Sequence, residues 1–160
     1  MNADRPALRA GLYARVSTAD QSADLQTDAL QLLAAARGWD AEVYLEVGWS
    51  GSRTSRPSLD RLLADAQAGR IGVVAVWRLD RLGRSLPHLL HTLDSLTAWG
   101  VGFVSVSDAG IDSTTAIGRL LIAVLGAVAE FEKNLIAERV RAGMAAAKAR
   151  GRPVGRPRRL

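Results

Sequence analysis

The 160-residue chain contains no cysteine, two histidines, two lysines and few aromatic residues, which make up 5% of the sequence. The absence of cysteine excludes disulfide frameworks, zinc–cysteine sites and thiol catalysis. The longest uninterrupted apolar run, 120–129, has ten residues and is too short to cross a bilayer. The polar N-terminus shows no signal peptide, so the expected localisation is cytoplasmic.

Basic charge is concentrated at the C-terminus. Residues 1–132 carry 12 basic and 15 acidic residues, whereas residues 133–160 carry nine basic residues and one acid, a local balance of +8. A near-neutral body with a basic arm favours a polyanionic partner, either nucleic acid or an anionic membrane. Because no aromatic or large aliphatic residue follows Met144 until Leu160, membrane insertion is not expected. A solvated tail without a partner is the alternative.

Strand-like and helix-like segments alternate along the first 106 residues. Short apolar or alternating runs that are typical of strands occur at 8–16, 41–47, 71–77 and 101–106. Between these strands, apolar residues recur at helical spacing. In the helix expected at 19–37, the residues predicted to share the apolar face are Leu25, Ala29, Leu32 and Ala36. This alternation predicts an α/β fold with a mostly parallel four- to five-stranded sheet and flanking helices.

A final helical pattern runs from about 117 to 149, which corresponds to a length of about 45–50 Å. Its apolar residues alternate in steps of four and three, which is a heptad-like seam. The seam residues are Ile117, Leu121, Val124, Val128, Phe131 and Leu135. The pattern predicts a long C-terminal dimerisation helix whose arginine-rich end contacts the polyanion, and an internal core helix is the alternative. The expected organisation is a core at 1–115, this helix at 116–149 and a basic extended tail at 150–160.

Three loops follow the predicted strands and are rich in serine and arginine: the segment from Ser17 onward, 48–56 and 79–85. In parallel sheets ligands bind at the carboxyl ends of the strands. Guanidinium groups bind phosphate oxygens in bidentate fashion and stay charged at any relevant pH. The loops therefore favour metal-free phosphoryl transfer to a serine. His88 and His91 lie in a leucine-striped helix and are expected on its surface, and no metal or cofactor site is recognisable.

Three strings of residues resemble the serine recombinases of the resolvase/invertase family. They are YARVST at 13–18, followed by Gln21 and Gln26; WSG at 49–51, with Arg56-Pro57 downstream; and LDRLGRS at 79–85. Glu138-Arg139 on the long helix matches a further stretch of that family. The resemblance covers about residues 8–150, and the combination of the first and third strings in this order is highly specific.

The resemblance implies site-specific recombination of double-stranded DNA through a 5′-phosphoserine intermediate, without a metal or other cofactor. It implies a homodimer that forms a tetramer in the synaptic complex. Ser17 matches the nucleophile, and the other matched catalytic residues are Arg15, Arg56, Asp80, Arg81 and Arg84. Supporting positions are matched by Tyr13, Gln21, Gln26, Ser50, Glu138 and Arg139. The basic residues expected to bind DNA at the C-terminus are Lys148, Arg150, Arg152, Arg156, Arg158 and Arg159.

The sequence departs from the family pattern in two places. The family usually has an aspartate shortly before the Ser-Gly step, and here Glu46 is the acid in that stretch. Family members also continue into a DNA-binding module, whereas no helix-turn-helix domain is expected here because the chain ends at Leu160. The alternative to an active recombinase is a non-enzymatic DNA-binding or oligomerisation remnant that lacks its reading module. A metal-dependent nuclease and a small-molecule phosphate-binding protein are further alternatives.

Overall fold

The computed structural model describes residues 8–17, 22–48, 56–83 and 85–151, with the backbone alone at Ser17, Ser22 and Ala23. Its strands are β1 (Arg9–Ser17), β2 (Asp40–Gly48), β3 (Val73–Val76) and β4 (Gly102–Ser105). Its helices are α1 (Ser22–Ala36), α2 (Pro57–Gln67), α3 (Leu79–Leu82), α4 (Leu86–Ala98) and α5 (Ala116–Ala149). The predicted α/β fold with a parallel sheet and a long C-terminal helix is confirmed.

The four strands form one parallel sheet in the order β2-β1-β3-β4. Tyr13 of the central strand β1 pairs with Tyr44 of β2 on one side and with Val76 of β3 on the other. Beyond β4, the amide of Val106 still donates to the carbonyl of Val76 at 3.0 Å. All four carboxyl ends therefore lie at one edge of the sheet, which is where the sequence places the serine- and arginine-rich loops.

Helix α1 covers one face of the sheet, but with a different stripe of residues from the one predicted. Leu30 and Ala34 are buried against Ala10 and Ala14 of β1. Leu25 and Leu32, which were expected in the core, are 68% and 72% exposed. The prediction was wrong because this alanine- and leucine-rich helix has two stripes with helical spacing. The small β1 side chains admit Leu30, whereas hydrophobicity alone does not distinguish the two stripes.

The opposite face of the sheet is covered by α2 and by the short helix α3. Leu59, Leu62 and Ala66 are the buried residues of α2. The segment 79–85, expected as a loop, instead begins with the helical turn α3. Leu82 is fully buried, and a Cβ on Gly83 would lie 2.9 Å from the Leu89 Cα. The burial of Leu82 and this close approach to α4 explain why the segment is helical rather than extended.

The start of α5 is fixed to the segment that follows β4. Thr115 accepts a hydrogen bond at its Oγ1 from the amide of Gly118 at 3.0 Å, which is an N-cap interaction. Asp112 accepts hydrogen bonds from Arg37 Nη2 at 2.6 Å and from the amide of Thr114 at 2.9 Å. The first turn of the helix is thus capped by Thr115, and the segment before it is held by Arg37, the residue that follows α1.

Helix α5 is continuous for 34 residues, a length of about 51 Å. The chain divides into two compact units, 1–123 and 124–160. In the second unit the seam residues Val124, Val128 and Phe131 are 50%, 49% and 66% exposed. Their role in dimerisation stays a prediction. In the part of the chain that the structure describes, no helix is long and apolar enough to cross a membrane.

Replacement by alanine is expected to have opposite effects on stability at two glycines of α5. A Cβ on Gly118 would lie 1.8 Å from the Asp112 carbonyl oxygen, whereas a Cβ on Gly143 meets nothing within 4 Å. Gly118→Ala is expected to lower the free energy of unfolding by about 3 kcal/mol, because backbone must shift to admit the methyl group. Gly143→Ala is expected to raise the stability of the helix by up to about 1 kcal/mol. Denaturant unfolding of both variants checks this, and equal effects would contradict the close approach at Gly118.

Candidate active site

The carboxyl end of β1 contributes three of the residues selected from the sequence. Ser17 is the last residue of the strand and pairs with Gly48 of β2. Arg15 pairs with Glu46, and its side chain is exposed. Tyr13 is fully buried. The expected nucleophile therefore stands at the strand end where ligands bind in parallel sheets.

Tyr13 lies in a buried, charged environment. Burial raises the pKa of Tyr13 to about 12; the Glu46 carboxylate also raises it, while Arg56 and Arg15 oppose the rise. Among the described residues the Tyr13 hydroxyl has no hydrogen-bond partner. A buried hydroxyl without a partner costs about 1–3 kcal/mol.

Ionisation of the two tyrosines of the chain is expected to lower the stability of the fold at alkaline pH. The pKa of Tyr44 is also raised above its usual range, by burial and by the hydrogen bond that its hydroxyl donates to Asp65 at 2.6 Å. The folded-state pKa values exceed the unfolded value near 10, so this stabilisation is complete below about pH 10 and is lost as pH rises toward 12. For Tyr13 the loss is about 3 kcal/mol.

Spectroscopic titration checks this prediction. In the folded protein, tyrosinate absorbance is expected to stay absent until above about pH 11, and in denaturant it is expected near pH 10. Tyr13→Phe is expected to flatten the loss of stability between these limits. A tyrosine that ionises near pH 10 in the folded protein would show that its hydroxyl is solvated.

Glu46 holds the start of α2. It is 6% exposed, and its Oε2 accepts hydrogen bonds from the amides of Ser58 at 3.1 Å and Leu59 at 3.2 Å. Arg56 occupies the N-cap position of α2 without a side-chain capping bond, so Glu46 supplies the missing acceptor. In the sequence, Glu46 is the acid in the stretch where the family usually has an aspartate. The structure shows its carboxylate bonded to the helix that follows Arg56.

Arg56 connects the start of α2 to the end of α3. Its Nη1 donates to the carbonyl oxygens of Arg81 at 3.1 Å and Leu82 at 3.2 Å. These carbonyls belong to the last residues of a helix and have no intrahelical donor. The guanidinium of Arg56 therefore fixes the turn that carries Arg81.

Helix α3 carries the acid and one arginine of the LDRLGRS string. Asp80 Oδ1 lies 3.7 Å from Arg78 Nε and 3.8 Å from Arg81 Nε, and the Asp80 side chain is 56% exposed. The Nε of Arg81 is buried and makes no hydrogen bond within the described residues. Because a buried guanidinium donor is costly to leave unpaired, Arg81 is suited to donate a hydrogen bond to an anionic oxygen.

A carboxylate that sequence reasoning did not select also contacts α3. Asp108 Oδ2 accepts hydrogen bonds from the amide of Leu79 and from Ser105 Oγ, both at 2.7 Å. Its position two residues after the apolar strand run, among serines, is the only sequence signal that points to it.

The remaining residues selected from the sequence differ in burial, and some lie outside the described ranges. Gln26 is buried in α1, while Glu138, Arg139, Lys148 and Arg150 are exposed in the second unit. His88 and His91 are exposed on α4, as predicted. Lying outside the described residues are Gln21, Ser50, Arg84, Arg152, Arg156, Arg158 and Arg159. Within the described ranges, no three acidic or histidine side chains are grouped so that they could hold a metal ion.

Comparison with known proteins gives one consistent family. The resolvase N-terminal domain family matches residues 10–153. The chain is 45% identical over 148 residues to the serine recombinase gin of Escherichia phage Mu, covering 92% of this chain and 72% of that protein. It is 42% identical over 149 residues to the transposon Tn552 resolvase of Staphylococcus aureus, with coverage of 92% and 72%.

A solved structure agrees with these relatives. The N-terminal catalytic domain of TP901-1 integrase superposes with a TM-score of 0.70 at 36% sequence identity, covering 79% of this chain and 98% of that domain. The chain therefore belongs to the resolvase family of serine recombinases.

Proposed function

We propose that this recombinase enzyme carries out site-specific DNA recombination by attack of Ser17 on a DNA phosphodiester. The Ser17 oxygen bonds to phosphorus, and the bond from phosphorus to the 3′ oxygen breaks. Ser17 gives up its hydroxyl proton and the leaving 3′ oxygen takes up one, so the products are a 5′-phosphoserine linkage and a free 3′-hydroxyl. After the ends are exchanged, a 3′-hydroxyl attacks the phosphoserine and releases Ser17. The observation that carries this proposal is that Ser17 and Arg15 lie at the carboxyl end of β1, while Arg56 bonds to the carbonyl of Arg81 in the segments that follow β2 and β3 at their carboxyl ends.

The arginines supply the charge that this reaction needs. Arg15 leads into Ser17 on β1, and Arg56 and Arg81 are joined through the Arg56 bond to the Arg81 carbonyl. Guanidinium groups near the phosphate stabilise the charge that develops on its oxygens. Arg84, in the same string as Arg81, is proposed to bind the same phosphate. No metal ion or other cofactor is required in this scheme.

Asp80 and the supporting residues are assigned to orientation and proton transfer. Asp80 lies within ion-pair distance of Arg78 and Arg81, so it orients a guanidinium or gives the 3′ oxygen its proton. Tyr13, which is fully buried beside Glu46, Arg56 and Arg15, is proposed to support the arginines from beneath rather than to touch the substrate. Gln21, Gln26, Ser50, Glu138 and Arg139 are proposed as supporting positions by family resemblance alone.

The partner and the assembly follow from charge and from the exposed seam of α5. We assign residues 1–115 to the catalytic core, 116–149 to a helix for dimerisation and DNA contact, and 150–160 to a basic tail on DNA. Homodimers are proposed to form through the heptad-like seam and to pair into a tetramer on double-stranded DNA. The basic C-terminal residues bind phosphates with little sequence preference. The proposed location is the cytoplasm, in association with nucleoid or plasmid DNA.

A non-enzymatic remnant is the less favoured alternative. Relatives at 42–45% identity over 92% of the chain are named as a recombinase and a resolvase. The arginines and the nucleophile that the family pattern requires are all present in the sequence. A remnant without activity would not need Arg56 and Arg81 to be held at the same sheet edge.

Covalent trapping tests the proposed function. The full chain, joined to a DNA-reading module of known site, is incubated with supercoiled DNA that carries paired sites, with and without EDTA. After a denaturing quench, protein attached to 5′ ends in both conditions is the expected result. Cleavage that EDTA abolishes and that leaves no attached protein would indicate a metal-dependent nuclease. DNA binding without any adduct would favour the remnant.

A further inference from the structure

Asp108 stands outside the arginine-bearing strings but reaches one of them. It lies in the segment that follows β4 and is partly buried. Its Oδ2 accepts two hydrogen bonds of 2.7 Å, one from the Ser105 hydroxyl and one from the amide of Leu79. Ser105 is the last residue of β4 and is 6% exposed, so the Asp108 carboxylate is fixed to the sheet. From there it holds the first amide of α3.

The N-terminus of α3 lacks a cap of its own. Arg78 occupies the N-cap position in extended conformation and makes no side-chain capping bond. The first amides of a helix have no intrahelical acceptor and are favoured by a nearby negative charge. Asp108 therefore supplies from a distant segment the acceptor that serine or aspartate normally supplies at the N-cap.

The C-terminal end of α3 is held by hydrogen bonds and by burial. Arg56 donates to the carbonyls of Arg81 and Leu82, and Leu82 is fully buried. With its last residues held in this way, the remaining freedom of this four-residue helix is at its start. Asp80 and Arg81 follow directly after Leu79, so a shift of the Leu79 amide moves both side chains.

We propose that Asp108 is a positioning residue for the cleavage step, acting through α3 on Asp80 and Arg81. This inference rests on the proposed function, because Arg81 is taken to bind the phosphate that Ser17 attacks. Asp108 itself touches neither the substrate nor the nucleophile in this scheme. Its contribution is to keep the Arg81 guanidinium at the distance from the phosphate that stabilises the transition state.

The test compares Asp108→Ala with Asp108→Asn in single-turnover trapping at saturating enzyme, with DNA affinity measured by gel shift. Asp108→Ala is expected to slow adduct formation about 10- to 100-fold, because small displacements of a catalytic group cost this much. DNA affinity is expected to change by less than about twofold, because one phosphate contact among many is affected. Asp108→Asn keeps an oxygen that accepts both hydrogen bonds, so its rate is expected within about threefold of wild type.

Asp65→Ala is the matched control. Asp65 also accepts a hydroxyl hydrogen bond, from Tyr44 at 2.6 Å, and a second bond from Arg70 Nε at 2.8 Å, but it does not contact α3. It is expected to lower the melting temperature and leave the adduct rate of folded protein within about twofold of wild type. If Asp108→Ala behaves like Asp65→Ala, or if Asp108→Asn is as slow as Asp108→Ala, the positioning role is overturned. If wild type itself gives no adduct, the proposed function fails and this inference fails with it.

Discussion

Replacing Ser17 with alanine is expected to abolish covalent attachment to DNA and to leave DNA binding unchanged. The hydroxyl oxygen is the only atom of the chain that the proposed reaction bonds to phosphorus. Removal of a nucleophile costs at least about 10³-fold in rate even where the rest of the site is intact. The trapping assay measures the adduct, and a gel shift measures binding of the same preparation.

One control variant and one threshold define what a loss of the adduct means. Ser95 lies on α4 and donates to the His91 carbonyl at 2.9 Å, so Ser95→Ala removes a hydroxyl without altering the sheet edge. This variant is expected to form adduct at the wild-type rate. A residual adduct in Ser17→Ala at more than about 1% of the wild-type level would assign the covalent bond to another side chain.

The position of the candidate site could be proposed from sequence because it depends on two local features. Strand patterns of alternating or continuous apolar residues located the carboxyl ends of β1, β2 and β3. Serine and arginine after those strands indicated phosphate chemistry, and Arg15, Arg56 and Arg81 lie at the edge that the strand pattern selects. Neither step needed knowledge of which side chains touch one another.

The contacts that hold these arginines were not predictable in the same way. Glu46 and Asp108 act on backbone amides of α2 and α3, which are 12 and 29 residues away in sequence. A backbone amide is present at nearly every residue, so its acceptor leaves no signature in residue type or spacing. Helix α3 was not predicted for a related reason. It is stabilised by tertiary contacts of Leu82 and Gly83 rather than by helix propensity, and such contacts are not visible in the local sequence.

Arg56→Ala is expected to slow adduct formation about 10²- to 10³-fold, which is the usual cost of removing one electrostatic donor from a transition state. Two losses contribute to this effect. The phosphate loses a guanidinium, and the carbonyls of Arg81 and Leu82 lose the donor that fixes the end of α3. Affinity for DNA is expected to fall by less than about twofold, since many phosphates contribute to binding.

Arg56→Lys separates the effect of charge from that of geometry, and Arg61→Ala, within α2, controls for the loss of an arginine as such. Lysine keeps the positive charge but presents no planar fork, so it does not hold a phosphate and two carbonyls together. Arg61 pairs with Glu42 at 2.8 Å and lies over the Tyr44 ring, away from α3. Its removal is expected to leave the adduct rate within about twofold of wild type.

Equal losses of DNA affinity and of adduct rate in Arg56→Ala would show that Arg56 binds DNA generally. A rate in Arg56→Lys equal to wild type would show that its charge suffices and that the contacts with α3 do not contribute to cleavage.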